Sequence, residues 1–223
     1  MVEQDVDFIK RCLGANLIQS PCLELGVGYG GPNNKVLIQD AGIEYVGTDI
    51  VAHESVDVRV NFEDSSERVE AGLGHAKYGS VLALNVLEHT FDPIRVLDNI
   101  INVLRPSGSC VIITPTVWPL HDYPFDCWRI NPNFYEEYCK RRSLVLLDDY
   151  FEYVGAHKVK DSTDINGTYV LPAPSDSKLK MLRSRLIHKV FNTVGRGMRF
   201  PSCVATGVVI RKDVVQQNAN QGL

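Results

Sequence analysis

Apolar and polar positions follow two alternating periods along most of the chain. Val6, Ile9, Leu13 and Leu17 recur at helical spacing, predicting an amphipathic helix within residues 3–18 that ends before Pro21. The short apolar run Cys22 to Val27, with Glu24 inside it, reads as a first strand. Glycine-rich sequence follows, then a helix over 33–40 closed by Gly42. Ile43 to Ile50 predicts a second strand carrying Asp49 near its end, and the alternation from Val56 to Phe62 predicts a third. A short helix is expected over 65–73. Ser80 to Asn85 reads as the fourth strand, apolar from Val81 to Leu84, as in a strand buried on both faces.

Asp92-Pro93 opens the next helix, with proline suited to its first turn and an apolar face of Ile94, Leu97, Ile100, Ile101 and Leu104. Arg105 to Gly108 reads as a turn and Cys110 to Ile113 as the fifth strand. A helix over 133–140, a strand over 143–150 and a last strand over 203–211 complete the pattern. Strands alternating with helices imply βαβ units and a mostly parallel sheet, an α/β fold. Residues 1–155 and 201–215 are expected to form one core. Residues 156–200 read as an insert, loop-like first and helical over 177–191, and 216–223 as a polar tail.

Composition narrows the picture only modestly. With 44% hydrophobic and 22% charged residues, the chain has the make-up of an ordinary globular protein. A net charge of −4 disfavours a general nucleic-acid binder. No apolar stretch approaches the roughly 20 residues of a membrane helix, and the acidic start lacks a signal-peptide run. The six cysteines form no C-x-x-C pair, which suits a reducing, cytoplasmic setting. The sequon Asn166-Gly167-Thr168 is then expected to be coincidental.

The candidate chemistry starts at Gly26, Gly28 and Gly30, directly after the first strand. Glycines in a strand–turn–helix connection let backbone N–H groups approach a ligand. Asp49 adds a carboxylate able to accept from both hydroxyls of a ribose. Asn61 offers an amide for an adenine edge and Phe62 an aromatic beside it. Val86-Leu87-Glu88-His89 follows the fourth strand, Phe91-Asp92-Pro93 comes next, and Leu104-Arg105-Pro106-Ser107-Gly108 precedes the fifth. A nicotinamide-dependent oxidoreductase would share the glycines and Asp49, but the features after the third strand do not serve hydride transfer.

From roughly residue 21 to 135, these motifs in this order resemble the class I S-adenosylmethionine (SAM)-dependent methyltransferases. The resemblance implies a Rossmann-like seven-stranded sheet, helices on both faces and a reversed last strand. It also implies SAM contacts by Glu24, Gly26, Gly28, Asp49, Asn61, Phe62 and Asn85. Ser107 and Asn61 depart from the usual Gly and Asp; an asparagine can still bond to adenine.

The acceptor is sought after the fifth strand. His121, Asp122, Tyr123, Pro124, Asp126, Trp128 and Arg129 resemble an H-x-Y-P-x-D-x-W-R run of a methyltransferase subset associated with glycan biosynthesis. The expected reaction is therefore O-methylation of a sugar or glycan hydroxyl. His121 is the candidate general base, its ordinary pKa lying near neutrality, and Asp122 or Asp126 would orient it. A metal-assisted variant competes, for a small metabolite or an RNA 2′-hydroxyl. Relatives with E-x-x-E-H bind a divalent cation there, and this chain keeps Glu88, His89 and His121 with Asn85 in place of the first Glu. A non-catalytic SAM-binding scaffold is the remaining alternative. Seven lysines and arginines between Lys178 and Arg199, with no acid between Asp176 and Asp213, form either a solvated face or a surface for an anionic acceptor.

Overall fold

A computed structural model of the chain describes residues 3–28, 34–118, 125–155 and 204–213. Gly30, His121, Asp122, the insert 156–200 with its basic stretch, and the tail 216–223 lie outside them. The elements are α1 (Glu3–Gly14), β1 (Cys22–Leu25), α2 (Lys35–Asp40), β2 (Tyr45–Asp49), β3 (Val58–Arg59), α3 (Ser66–Leu73) and β4 (Tyr78–Leu84). A 3-10 turn (Leu87–His89), α4 (Pro93–Val103), β5 (Leu104–Val117), α5 (Pro132–Arg142), β6 (Val145–Leu146), β7 (Glu152–Gly155) and β8 (Val204–Arg211) follow.

The sheet order is β3-β2-β1-β4-β5-β8-β6, with β7 also paired to β8. The first five strands are parallel, and β8 runs antiparallel to β5. This is the expected Rossmann-like sheet with its reversed last strand. The expected sixth strand is divided. Leu146 pairs with Ile210 and Glu152 with Gly207, so six residue steps on one side answer three on β8. The surplus is taken up by a 3-10 turn at Asp148–Tyr150, whose two aspartates are exposed.

Other boundaries moved for local reasons. β3 is an edge strand of two residues, because Asn61 leaves the ladder and turns the chain through its own side chain. The expected turn at 105–108 is a wide bulge within β5: Tyr78 pairs with Leu104 and Ser80 with Ser109, and Ser107 takes φ +63°. α1 stops at Gly14 instead of continuing to 18. Asn16 adopts φ +57°, and Leu17 N–H donates to Cys12 O at 2.9 Å while Asn16 N–H donates to Leu13 O, a Schellman ending. Gly42 and Ser143 close α2 and α5 in the same way.

Two apolar layers sandwich the sheet. Val81, Ala83, Cys110, Ile112, Val208 and Ile210 meet α3, α4 and α5 on one face. Leu82, Leu84, Val111, Ile113 and Val209 meet α1 and α2 on the other. The period of two within these strands makes every position apolar, because both faces are covered. α4 buries Val96, Leu97, Ile100 and Val103, while Ile94, expected on the apolar face, is 46% exposed. Asn99 is also buried there, and its amide donates to Phe62 O at 2.8 Å and Asp64 O at 3.0 Å. Among the described residues, no helix is long and apolar enough to cross a membrane.

Candidate active site

The site is assembled at the carboxyl ends of β1, β2 and β4, where open α/β sheets bind ligands. A cleft of about 350 Å³, lined by residues such as Asn16, Gln19, Ser109 and Arg211, opens beside the other end of the sheet. Ser107, of the motif before the fifth strand, lines it, but none of the described residues expected to hold the cofactor or the acceptor does.

β1 turns sharply after Leu25. Gly26 and Val27 both donate from their backbone to Thr48 O, at 2.8 and 3.2 Å. Gly26 and Gly28 take φ +65° and +60°, conformations that side chains with a β-carbon rarely adopt. Among the described residues, a β-carbon on Gly28 would meet nothing nearer than Gly26 O at 3.9 Å, so toward them the turn presents an open backbone face. Gly28 N–H donates to Asp49 Oδ2 at 3.2 Å, and Val51 N–H to Asp49 Oδ1 at 2.9 Å. The structure thus brings the glycine turn and the strand-two carboxylate together. A carboxylate has about four acceptor positions, so two remain for ribose hydroxyls.

Glu24 sits below this turn and is 3% exposed. Asn34 Nδ2 donates to its Oε1 at 2.7 Å and the Tyr45 hydroxyl to its Oε2 at 2.6 Å. Burial raises the Glu24 pKa, and these two donors oppose the rise. The sequence reading singled out neither partner. The signal available for Tyr45 was an aromatic hydroxyl within an apolar strand, which must find an acceptor when buried.

Asn61 is exposed, and its Oδ1 accepts from Glu63 N–H at 2.9 Å, leaving an amide donor for a base edge. Phe62 differs from the expectation: it is 6% exposed and packs in the core with Leu23, Leu25 and Val69, so its ring serves burial. Asn85 takes φ +54° at the end of β4, a conformation asparagine tolerates. Its amide donates to Asp5 Oδ2 at 3.3 Å, which ties α1 to the site. Glu63 is a further residue that the sequence motifs did not single out. Its Oε1 accepts from both Phe91 and Asp92 N–H at 2.8 Å, fixing the start of α4.

The segment 125–129 is laid against the 3-10 turn at Glu88. Cys127 and Trp128 donate from their backbone to Glu88 O, at 2.7 and 3.3 Å. His89 Nδ1 lies 2.6 Å from Phe125 O, and a carbonyl only accepts, so Nδ1 carries the proton. Asp126, expected to orient the base His121, has a fully buried side chain paired with both terminal nitrogens of Arg129, one contact being 2.6 Å. Its two oxygens anchor the segment through Arg129, while His121, which it was expected to orient, lies outside the described residues. Arg129 also donates to Trp118 O at 3.2 and 3.3 Å.

Glu88 stands apart. It is 1% exposed, and among the described residues neither carboxyl oxygen has a hydrogen-bond partner. Burial pushes its pKa up to about 8, Asp126 and Asp5 adding to the rise and Arg129 opposing it. His89 Nε2 is 3.7 Å from Glu88 Oε1, beyond a hydrogen bond. For the metal expectation, Glu88 and His89 are two of three ligands, and His121 lies outside the described residues. Among the described residues, no group of three or more such side chains is arranged to hold a cation.

The fold recurs in solved structures of low sequence identity. A SAM-dependent methyltransferase from Archaeoglobus fulgidus superposes with a TM-score of 0.55 at 16% identity, covering 94% of this chain and 95% of that one. The 1,6-didemethyltoxoflavin-N1-methyltransferase of Burkholderia thailandensis, bound to its substrate and S-adenosylhomocysteine, gives 0.57 at 12%, covering 95% and 79%. The [4+2]-cyclase SpnF gives 0.56 at 14%, covering 95% and 83%, so the same architecture also carries other chemistry. By sequence, the chain is 28% identical over 123 residues to a probable S-adenosylmethionine-dependent methyltransferase of Mycolicibacterium smegmatis. That match covers 52% of this chain and 45% of the relative, so the chain spans less than half of that protein's length. Residues 4–158 match the methyltransferase domain family, and the chain therefore belongs to the class I SAM-dependent methyltransferases.

Proposed function

We propose that this chain binds SAM on the turn at Gly26 and Gly28 and transfers its methyl group to a hydroxyl of a sugar or glycan. The observation that carries the cofactor half is the direct bond from Gly28 N–H to Asp49 Oδ2, which joins an open backbone face to a ribose-competent carboxylate. Asp49 would accept from the ribose and Asn61 Nδ2 would donate to the adenine. Asn85 would border the methionine end, with Asp5 holding its side chain. Glu24 would act from beneath, keeping Asn34 and Tyr45 in place under the turn. SAM supplies an activated methyl group, and the protein's task is to align a nucleophile with it.

The acceptor half rests on the resemblance of residues 121–129 and on the polar and aromatic character of that segment. A sugar hydroxyl needs its proton removed as it attacks, and His121 is the proposed base, with Asp122 beside it in sequence. The basic stretch 178–199, within the insert at 156–200, would draw an anionic group attached to the acceptor, such as the phosphates of a nucleotide-linked sugar. Among the described residues five cysteines are free, four of them buried, which fits a reducing compartment such as the cytoplasm.

The test is a methyl-transfer screen with labelled SAM across nucleotide sugars, glycans, quinone precursors and short RNAs. Labelled sugar or glycan is the expected outcome, lost in His121→Ala with SAM affinity intact. Labelling of quinone precursors or RNA, abolished by chelation, would replace it with the metal-assisted reaction. SAM binding with no labelling at all would favour the scaffold.

A further inference from the structure

Four described carboxylates, Asp5, Glu24, Glu88 and Asp126, are buried in or beside the candidate site, and Asp5 accepts from the Asn85 amide at 3.3 Å. Glu24 receives donors on both oxygens from Asn34 and Tyr45, and Asp126 receives Arg129 on both. Glu88 is buried as deeply, yet among the described residues neither of its oxygens has a hydrogen-bond partner, His89 Nε2 standing 3.7 Å from Oε1. Nearby donors are already committed. The Tyr135 hydroxyl is bonded to Thr114 Oγ1 at 2.6 Å, and His89 turns its Nδ1 proton to Phe125 O. Desolvated acceptors left unanswered are costly, and folded chains rarely keep them without a use.

The backbone around Glu88 supplies the second observation. Hydrogen bonds from residues 127 and 128 to Glu88 O, and from His89 to Phe125 O, clip an aromatic segment onto this turn. In that segment Phe125 is 69% exposed and Trp128 44% exposed. Large aromatic faces held open beside a buried polar group have the make-up of a small-molecule subsite.

We propose that Glu88 is the acceptor-recognition residue: its carboxyl exchanges hydrogen bonds with the hydroxyls of a polyhydroxylated ring whose apolar face rests on Trp128 and Phe125. This rests on the reading of the chain as a methyltransferase of sugar hydroxyls and assigns that reading a residue. Hydroxyls suit the position better than an ammonium group, because a dry site costs a buried cation far more than a neutral donor. The paired Arg129 already occupies the nearby cationic position.

The experiment is saturation-transfer NMR on the full chain loaded with S-adenosylhomocysteine. The probes are methyl glycosides of glucose, galactose, mannose and rhamnose, with putrescine as an amine control. Wild type should transfer saturation to glycoside ring protons. Glu88→Leu and Trp128→Ala should each weaken that signal about tenfold. Glu88→Gln, which keeps an acceptor and a donor, should stay within about threefold of wild type. Calorimetric affinity for S-adenosylhomocysteine should be unchanged in all three. Equal glycoside signal in wild type and Glu88→Leu would overturn the proposal, as would signal from putrescine alone or no glycoside signal from loaded wild type. Failure of wild type to bind S-adenosylhomocysteine would instead overturn the methyltransferase reading beneath it.

Discussion

Gly26 lies so close to Val86 that a β-carbon on it would stand 2.9 Å from Val86 Cγ2. The chain leaving β4 therefore packs directly on the cofactor turn, and two motifs distant in sequence form one surface. Gly26 meets both a positive φ and a steric stop, whereas Gly28 meets only the positive φ. Gly28→Ala should cost about 1 kcal/mol, the usual penalty of a left-handed residue. Gly26→Ala should cost about 1–3 kcal/mol more through overpacking, and should weaken SAM binding more than Gly28→Ala. Thermal melts and calorimetry on the two variants check the order.

Asp49 is bonded to the glycine turn and is the carboxylate proposed to hold the ribose. Asp49→Asn replaces one acceptor oxygen with a donor facing Gly28 N–H or Val51 N–H. SAM affinity should fall about tenfold or more, since a charge-assisted bond contributes about 1.5–3 kcal/mol. Titration calorimetry reads this directly, with circular dichroism as the fold control.

Glu24 is surrounded by donors, so its amide cannot replace it. Glu24→Gln would point an amide nitrogen at either Asn34 Nδ2 or the Tyr45 hydroxyl, and should destabilise by about 1–3 kcal/mol. Tyr45→Phe removes one donor and leaves Asn34 in place, so it should cost less, about 1 kcal/mol. Denaturant unfolding compares the two.

The Arg129–Asp126 pair is buried on the aspartate side. Arg129→Met would remove both of the arginine's contacts from a desolvated carboxylate and should cost about 3 kcal/mol or more. Asp126→Asn combined with Arg129→Met should recover part of that loss. A double-mutant unfolding cycle measures the recovery.

Glu88 makes stability depend on pH in a defined direction. Its folded pKa of about 8 lies above the ordinary carboxylate value of the unfolded chain. The folded state holds a proton there that the unfolded state has released, so the contribution is complete below about pH 4 and is lost as pH rises through about 8. Glu88→Gln cannot ionise. Wild type should therefore lose stability relative to Glu88→Gln across that window, by on the order of a few kcal/mol. Unfolding both proteins at pH 5, 6, 7 and 8 follows the divergence.

The hydrophobic pattern determined the order and type of the core elements, and the order of motifs determined the family. Both are local properties. A strand covered on two faces shows as an unbroken apolar run, as in β4, and a glycine turn shows in three residues. Asp92 was legible for the same reason: its side chain accepts from Arg95 N–H at 3.1 Å, a cap made within one turn.

Tertiary structure decided which polar groups are answered. Phe62 and Asn61 are neighbours in the sequence, yet one is core and the other exposed, because α3 and α4 cover only one side of the turn. The division of the expected sixth strand depended on its register against β8, more than 50 residues away. Glu24, Asp126 and Glu88 are equivalent as letters. Asn34 and Tyr45 reach the first, Arg129 reaches the second, and no described donor reaches the third. Burial and hydrogen-bond satisfaction are sums over everything that packs around a side chain, and most of those contributors are distant along the chain.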